Sequence, residues 1–570
     1  MIAKFRQVFG EGNPQLIREL KGKLQPVNVA IAVAVSLCSQ FLVYLFFQNL
    51  IPKSPNSLEK FHRYCQGKAP DFISYRSFQH CTPDALGSLT INWQLWWLDI
   101  FICTSIIGIF VLLVGGTYLL IRDLSQEESR GTLEFIRLCP QPAMEILTGK
   151  ILGVPILLYL LCALGLPFNF YAAWQGGISP LLTASFYGTL VISSIFFYSV
   201  ALLFALVSKQ SAAFSPWIGS GTVCAFLAII TFLNFGHLYE FQLSTINRTP
   251  FDWLIVFYPG ILLPHLVEAT SIADHYYLNI VLDFTELKWY GMPFWSNMGT
   301  TTAFVLANYF LWTNWLWQGL KRRFHNPSST LITKGQSYWL SGSFIVTIIG
   351  FVPQQPEFGN YQDALFENFG FVIGLTLILF LTLIPALSPQ RQTLQDWARY
   401  RYDSKYDRWS LWKDLVWGEK SPATVAIALN LFTASAVILP GILMLPLQQY
   451  KLPVFFGMLF TASLILLYAC IFQLAVLMKR PQHGVWLAMA VFVSTILPFM
   501  SWWLLQLNPH NVPGFGFFTF IPTTAIGYAQ TTTLSFSIFL PWLTIALVSW
   551  QTKRQLQKAG ESETKTLLGS

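Results

Sequence analysis

RDLSQEESRGTLEFIRLCPQPAMEILTGK, residues 122–150, lies between two long apolar runs. It gathers Glu127, Glu128, Arg130, Glu134, Arg137 and Glu145 in a chain of which only 11% is charged. Ordinary soluble chains carry roughly 25% charged residues. With 54% hydrophobic residues and a mean hydropathy of +0.50, the chain reads as a bilayer protein. The stretch then reads as a polar element projecting from it. Ser125 with Glu128 three residues on has the form of a capping box, so a helix is expected to start there. Leu133, Phe135, Ile136 and Leu138 read as its apolar anchors. Pro140 and Pro142 end it, and Gly149 and Gly153 let the next helix pack closely. The same charges also suit a solvated loop that only orients the protein.

Upstream, residues 13–26 read NPQLIRELKGKLQP. Asn13 and Pro14 form a helix start. Leu16, Ile17, Leu20 and Leu24 share one face, which predicts a helix lying in the headgroup plane. Spans follow at 27–51 and 93–121, separated by a polar loop. Cys65 and Cys81 share that loop and are candidates for a disulfide if it faces an oxidising compartment. Downstream, spans are predicted at 151–173, 181–207, 213–235 and 300–320. The long loop 236–297 contains PGILLPHLVEAT, too short to cross and expected on or in the outer leaflet.

The whole chain is predicted to be all-α, a polytopic helical membrane protein of about 12 spans. Residues 1–336 form a first half, and 337–388 add two short spans. Residues 389–422 are a basic linker. Residues 423–570 form a second, degenerate half with about four spans and a re-entrant candidate at 514–528. With both termini cytoplasmic, 27 of the 35 Lys and Arg residues fall on the cytoplasmic side, as the positive-inside rule requires. That orientation makes 122–150 cytoplasmic. An internal echo supports two related halves. KGKLQPVNVAIAVAV (21–35) aligns with WGEKSPATVAIALNL (417–431), matching Gly22 with Gly418 and Pro26 with Pro422.

The chemistry is sparse. No GxxxxGK[ST], HExxH, GxSxG or CxxC occurs. The chain therefore carries no Walker phosphate cradle, and no catalytic, cofactor or metal site is assigned. The net charge of +8 orients loops, and no basic stripe for nucleic acid is present. Predicted spans hold essentially no ionisable group, Asp99 near a span end being the exception. That disfavours an ion-coupled carrier, which needs such groups at mid-membrane. A carrier or a membrane-embedded enzyme stays as the alternative.

EESRGTLEFIRLCP and ILTGKILG, within 127–153, resemble the coupling segment of ABC transporter permeases of the type-2 exporter class. Glu128, Arg130, Gly131, Thr132, Leu133, Glu134, Pro140, Gly149 and Lys150 carry the match. Residues 13–26 are similar to the connecting helix of the same class, and the resemblance runs over 13–323. It implies a non-enzymatic permease subunit in a bacterial plasma (inner) membrane, working as an exporter. A separate nucleotide-binding ATPase, holding ATP and Mg, would dock on Glu127, Glu128, Arg130, Gly131, Thr132, Glu134 and Arg137. The second half departs from the class, having only MKRPQHG (478–484) where a second coupling segment would lie. Either one chain supplies both halves of a pseudo-dimer, or the extra spans are an appendage and the protein homodimerises.

Overall fold

The computed structural model describes residues 13–52, 61–66, 79–82, 89–208, 214–235, 248–270, 287–356, 359–403, 408–478, 483–505, 522–526 and 531–560. The regular structure among them is helical apart from one two-residue antiparallel pair, Phe61–His62 (β1) with Gln79–His80 (β2), and two isolated bridges, Cys65 with Ile91 and Trp289 with Met292. Eight of the described helices are long and apolar enough to cross a membrane. The count is nine if the pair Pro250–Phe257 and Pro259–Glu268, bent by 95°, forms one span. The chain divides into two compact units. The first holds residues 1–244, 254–286 and 294–325; the second holds 245–253, 287–293 and 326–570.

In the first unit, α1 (Pro14–Lys23) is set off from α2 (Pro26–Asn49) by a two-residue break, with Pro26 opening the second helix. The next span, α3, runs from Trp93 to Ser129. At 1.5 Å per residue it is about 55 Å long, well beyond the ~30 Å hydrocarbon core. It contains a π-helical turn at Val111–Gly115, built around Tyr198. The Tyr198 hydroxyl donates to the Leu112 carbonyl at 2.7 Å. A Cβ on Gly116 would lie 2.1 Å from that hydroxyl, so only glycine admits the ring. A short α4 (Thr132–Arg137) and α5 (Ala143–Gly153) follow. Then come three apolar helices, α6 (Ile156–Gln175), α7 (Pro180–Val207) and α8 (Ser215–Phe235). The third predicted span is thus two helices, broken at Val154-Pro155.

The sequence places PGILLPHLVEAT in the outer leaflet, but residues 259–267 are buried inside the first unit. They form a short 3-10 turn and α9 (Leu263–Glu268), packed with α7. His265 there lies 3.2 Å from Thr301 Oγ1, on α10 (Met298–His325). Burial in protein lets non-spanning backbone exist at this position without meeting lipid. The polar loop is cross-linked, since Cys65 and Cys81 are disulfide-bonded. It is also tied to α3 by Arg63, whose Nε and Nη2 each reach Asp99 at 2.9 Å. Tyr64 adds a third hydrogen bond to the same carboxylate. Asp99 is therefore a structural counter-ion.

The second unit is built on α11 (Lys334–Ile349), α12 (Tyr361–Leu387), α13 (Arg391–Asp403), α14 (Arg408–Trp417), α15 (Thr424–Met444) and α16 (Lys451–Leu477). A broken apolar helix lies at 483–504, and α17 spans Thr531–Gly560. Most of 514–528 lies outside the described residues.

Candidate functional site

The organising stretch folds as a cap on the end of α3. Leu120, Ile121 and Leu124 continue the apolar stripe of the span past its membrane length, so the helix does not restart at Ser125. Ser125 is buried within it. The helix stops at Gly131, whose φ of 71° is left-handed. The Arg130 and Gly131 amides turn back to Gln126 and Glu128 carbonyls at 3.0 Å. Thr132 Oγ1 donates to the Glu127 carbonyl at 3.1 Å. This is a glycine C-cap. Nothing lies within 4 Å of where a Gly131 Cβ would sit, so substitution there costs only backbone strain. Gly131→Val is expected to destabilise the turn by about 1–2 kcal/mol. The readout is faster amide exchange at 128–137, with the rest of the chain unchanged.

Beyond the cap, α4 lies on the platform through two residues. Leu133 and Ile136 enter a core with Leu120, Leu124, Ile146, Leu147, Leu202, Leu206, Leu320 and Phe324. Each such burial contributes about 1.5–3 kcal/mol. The sequence expects Phe135 and Leu138 to anchor as well, and the structure corrects this. They sit on the opposite face, 74% and 82% exposed. Glu128, Arg130, Gly131, Thr132 and Glu134 are exposed around them. Arg137, its side chain only 7% exposed, reaches the exposed Glu134 at 2.7 Å. Glu127 is placed differently: it turns inward.

Inward, five charges from three helices meet. Lys150 on α5 is 0% exposed, and its Nζ lies 2.6 Å from Asp123, 2.7 Å from Glu127 and 3.8 Å from Glu19. Arg18 on α1 bridges Glu127 at 2.5 Å and Glu19 at 3.2 Å. Asp123 and Glu127 are four residues apart and so share a face of α3. The three carboxylates lie within 4.8 Å of one another, a spacing that could hold a metal ion. The Lys150 ammonium serves as their counter-ion instead. Burial works against the charge on Lys150, but Asp123 and Glu127 outweigh it and hold the amine above its ordinary range. No protein-family model, curated protein or solved structure matches this chain. What the stretch does must therefore come from this geometry and from the residue pattern.

Docking of α1 completes the site. Asn13 caps α1 by accepting from the Leu16 amide at 3.0 Å, and its Nδ2 donates to the Glu145 carbonyl at 2.6 Å. A Cβ at Gly149 would lie 2.8 Å from Asn13 Oδ1, and one at Gly153 would lie 2.6 Å from Glu19 Cβ. Two glycines one turn apart thus let α1 lie directly on α5. The buried face of α1 is Gln15, Leu16 and Glu19, not the Leu16, Ile17, Leu20, Leu24 stripe expected to face lipid.

The second unit contains a parallel device. Lys334 opens α11, is 2% exposed, and donates to the carbonyls of Leu415 and Pro422 and to Ser421 Oγ. These lie at the end of α14 and in the break before α15. Gly335 beside it leaves room for Trp417, which a Cβ would approach to 3.0 Å. In both units a glycine–lysine pair clamps a short helix that precedes a span. The order along the chain differs: the lysine follows the short helix in the first unit and precedes it in the second.

Proposed function

We propose that this chain is the transmembrane permease subunit of an ATP-driven transporter of the ABC type, acting as an exporter. A separate ATPase docks on the exposed tip at 128–139. The observation that carries the reading is the two-sided construction of α4. One side is fixed into a core that joins α3, α5, α7 and α10. The other presents Phe135 and Leu138 uncovered, ringed by Glu128, Arg130, Thr132 and Glu134. An exposed aromatic–aliphatic pair with a charged rim has the composition of a protein contact. A rigid mount is what a lever needs. Closure of the ATPase pair displaces the tip, and the core and the Lys150 cluster pass that displacement to α3, α5 and α1 together.

The resemblance of 13–323 to the type-2 exporter class supports the same reading and a bacterial plasma membrane, and the Lys and Arg bias supports a cytoplasmic tip with cytoplasmic termini. In this reading the weakly apolar α10 and the helices at 334–349, 483–504 and 531–560 also cross, for about 12 spans. The clamp repeated in each unit favours a pseudo-dimer within one chain.

The test is affinity purification from native membranes of wild type and of Phe135→Asp, Leu138→Asp and Glu134→Lys. Wild type should bring down a Walker-motif ATPase. The two apolar replacements should each weaken that association by about 2 kcal/mol or more, some thirtyfold. Thermal stability of the membrane domain should stay within about 0.5 kcal/mol, because the positions are exposed. Two ATPase copies per chain support the pseudo-dimer, and one per chain supports an appendage on a homodimer. Absence of any ATPase, or undiminished association in all three variants, refutes the docking assignment.

A further inference from the structure

Within the first unit, α2, α3, α6 and α7 enclose a cavity of ≈ 440 Å³. That volume suits a single small-molecule ligand. All four walls are helices apolar enough to cross a membrane, so the cavity lies at bilayer depth. No Asp, Glu, Lys or Arg lines it, which excludes a charged ligand. Most of the lining is aliphatic. Val35, Ile107 and Val191 line the cavity and are themselves solvent-accessible, so it opens to the surface of the unit.

Its polar groups are asymmetric. Asn169 is 4% exposed. Its Nδ2 donates to Thr104 Oγ1 at 2.5 Å, and the Thr104 hydroxyl donates onward to the Ile100 carbonyl at 2.7 Å. That chain fixes which end of the amide is which. It leaves Asn169 Oδ1 buried with no hydrogen bond. Gln40, on the neighbouring α2, also spends its donors on protein but is only partly buried. Its Nε2 donates to Ser36 and to the Leu164 carbonyl. A buried acceptor without a partner costs free energy, and such an arrangement persists where something else supplies the proton.

Two glycines mark the open space. A Cβ at Gly108 or at Gly165 would meet nothing within 4 Å, although both line the cavity from opposite helices. Glycine inside a helix costs about 0.5–1 kcal/mol relative to alanine. Here that cost comes with free volume.

We propose that this cavity binds a neutral, lipid-derived amphiphile. An alkyl chain lies along the aliphatic walls, and a terminal hydrogen-bond donor, a hydroxyl or an amide N–H, meets the carbonyl oxygen of Asn169. The proposal does not rest on the ATPase reading, since neither the cavity nor its test involves the tip.

The test uses the full chain in lipid nanodiscs with two photoreactive probes: a long-chain alcohol bearing a diazirine, and its methyl ether. The ether has the same chain and no donor. In wild type the alcohol should label cavity residues roughly five- to tenfold more than the ether, the size of one hydrogen bond. Asn169→Leu should bring the alcohol down to the level of the ether without lowering the ether. Gly165→Leu and Gly108→Leu should remove labelling by both, and both variants should fold, because leucine is the better helix former. Equal labelling by alcohol and ether in wild type overturns the proposal and leaves water as the partner of Asn169. Labelling that survives both filling variants, or no labelling of cavity residues by either probe, also overturns it.

Discussion

Lys150→Met is expected to destabilise the first unit by about 3–5 kcal/mol, the cost of stripping the partner from a buried ion cluster. The amine is wholly buried, with Asp123 and Glu127 both within 2.7 Å. Removing it leaves three carboxylates facing Arg18 alone. The apolar replacement should fit, so the loss measures orphaned charge rather than a cavity. A rescue experiment separates the two. Asp123→Asn with Glu127→Gln, placed on Lys150→Met, should recover more than half of the loss, since neutral amides tolerate burial far better than unpaired carboxylates. The measurement is thermal unfolding in detergent, with trypsin cleavage at Arg18 and Lys21 as the report on α1. The amine is held above its unfolded value of 10.5, so its contribution is fully present at neutral pH. It is lost only as pH rises through the higher folded value. Stability differences between wild type and variant should therefore be flat from pH 7 to about 10. A variant within 1 kcal/mol of wild type with unchanged cleavage would mean that Lys150 is ornamental.

Lys334 is held differently. Its amine donates to two carbonyls and a hydroxyl, where Lys150 is paired with carboxylates.

The long apolar helices were legible because lipid imposes a composition that few other environments impose. The runs at 26–49, 180–207 and 424–444 needed only hydropathy. The end of α3 was not legible in this way. Ser125 and Glu128 satisfy the pattern of a helix start, but that pattern matters only where a helix starts. Packing of Leu120, Ile121 and Leu124 carries α3 straight through it. Gly131 was the more informative residue, because a left-handed cap has few alternatives. Phe135 and Leu138 misled for another reason: apolarity says that a residue prefers burial, not that a six-residue helix has two buried faces. Lys150 was least legible. Beside a glycine and ahead of an apolar run it reads as a loop charge. Its partners come from residues 19, 123 and 127, so no local window holds them. One clue was available: Asp123 and Glu127, four residues apart just past a span, form an acidic face that requires a countercharge. The cavity left no sequence signal at all. Gly108, Gly165 and Asn169 are ordinary in apolar helices, and only their meeting makes a site.

Gly153→Leu is the companion experiment, acting on shape instead of charge. Its Cβ would meet Glu19 Cβ at 2.6 Å, with Leu16 Cδ1 at 3.4 Å. A Cβ cannot swing aside as a flexible side-chain end can, so α1 must lift from α5. Overpacking of this kind costs about 1–3 kcal/mol. At Gly149 the obstruction is Asn13 Oδ1 and the Leu16 backbone amide, so Gly149→Val also disrupts the cap, worth about 1 kcal/mol. The decisive quantity is the coupling. Lifting α1 takes Arg18 away from Glu127, so part of the ion cluster is lost with either glycine. Gly149→Val combined with Gly153→Leu, and Lys150→Met combined with Gly153→Leu, should each cost less than the sum of the single changes by about 1 kcal/mol or more, as expected for residues acting through one contact. Gly22→Ala supplies the control on the same helix. Its Cβ meets nothing within 4 Å, so alanine should stabilise α1 by up to about 1 kcal/mol. If Gly22→Ala and Gly153→Leu moved stability in the same direction, glycine flexibility would explain both and the docking of α1 on α5 would not. Opposite signs with sub-additive pairs mean that α1, α3 and α5 move as one piece. A lever from the tip to the spans needs that rigidity.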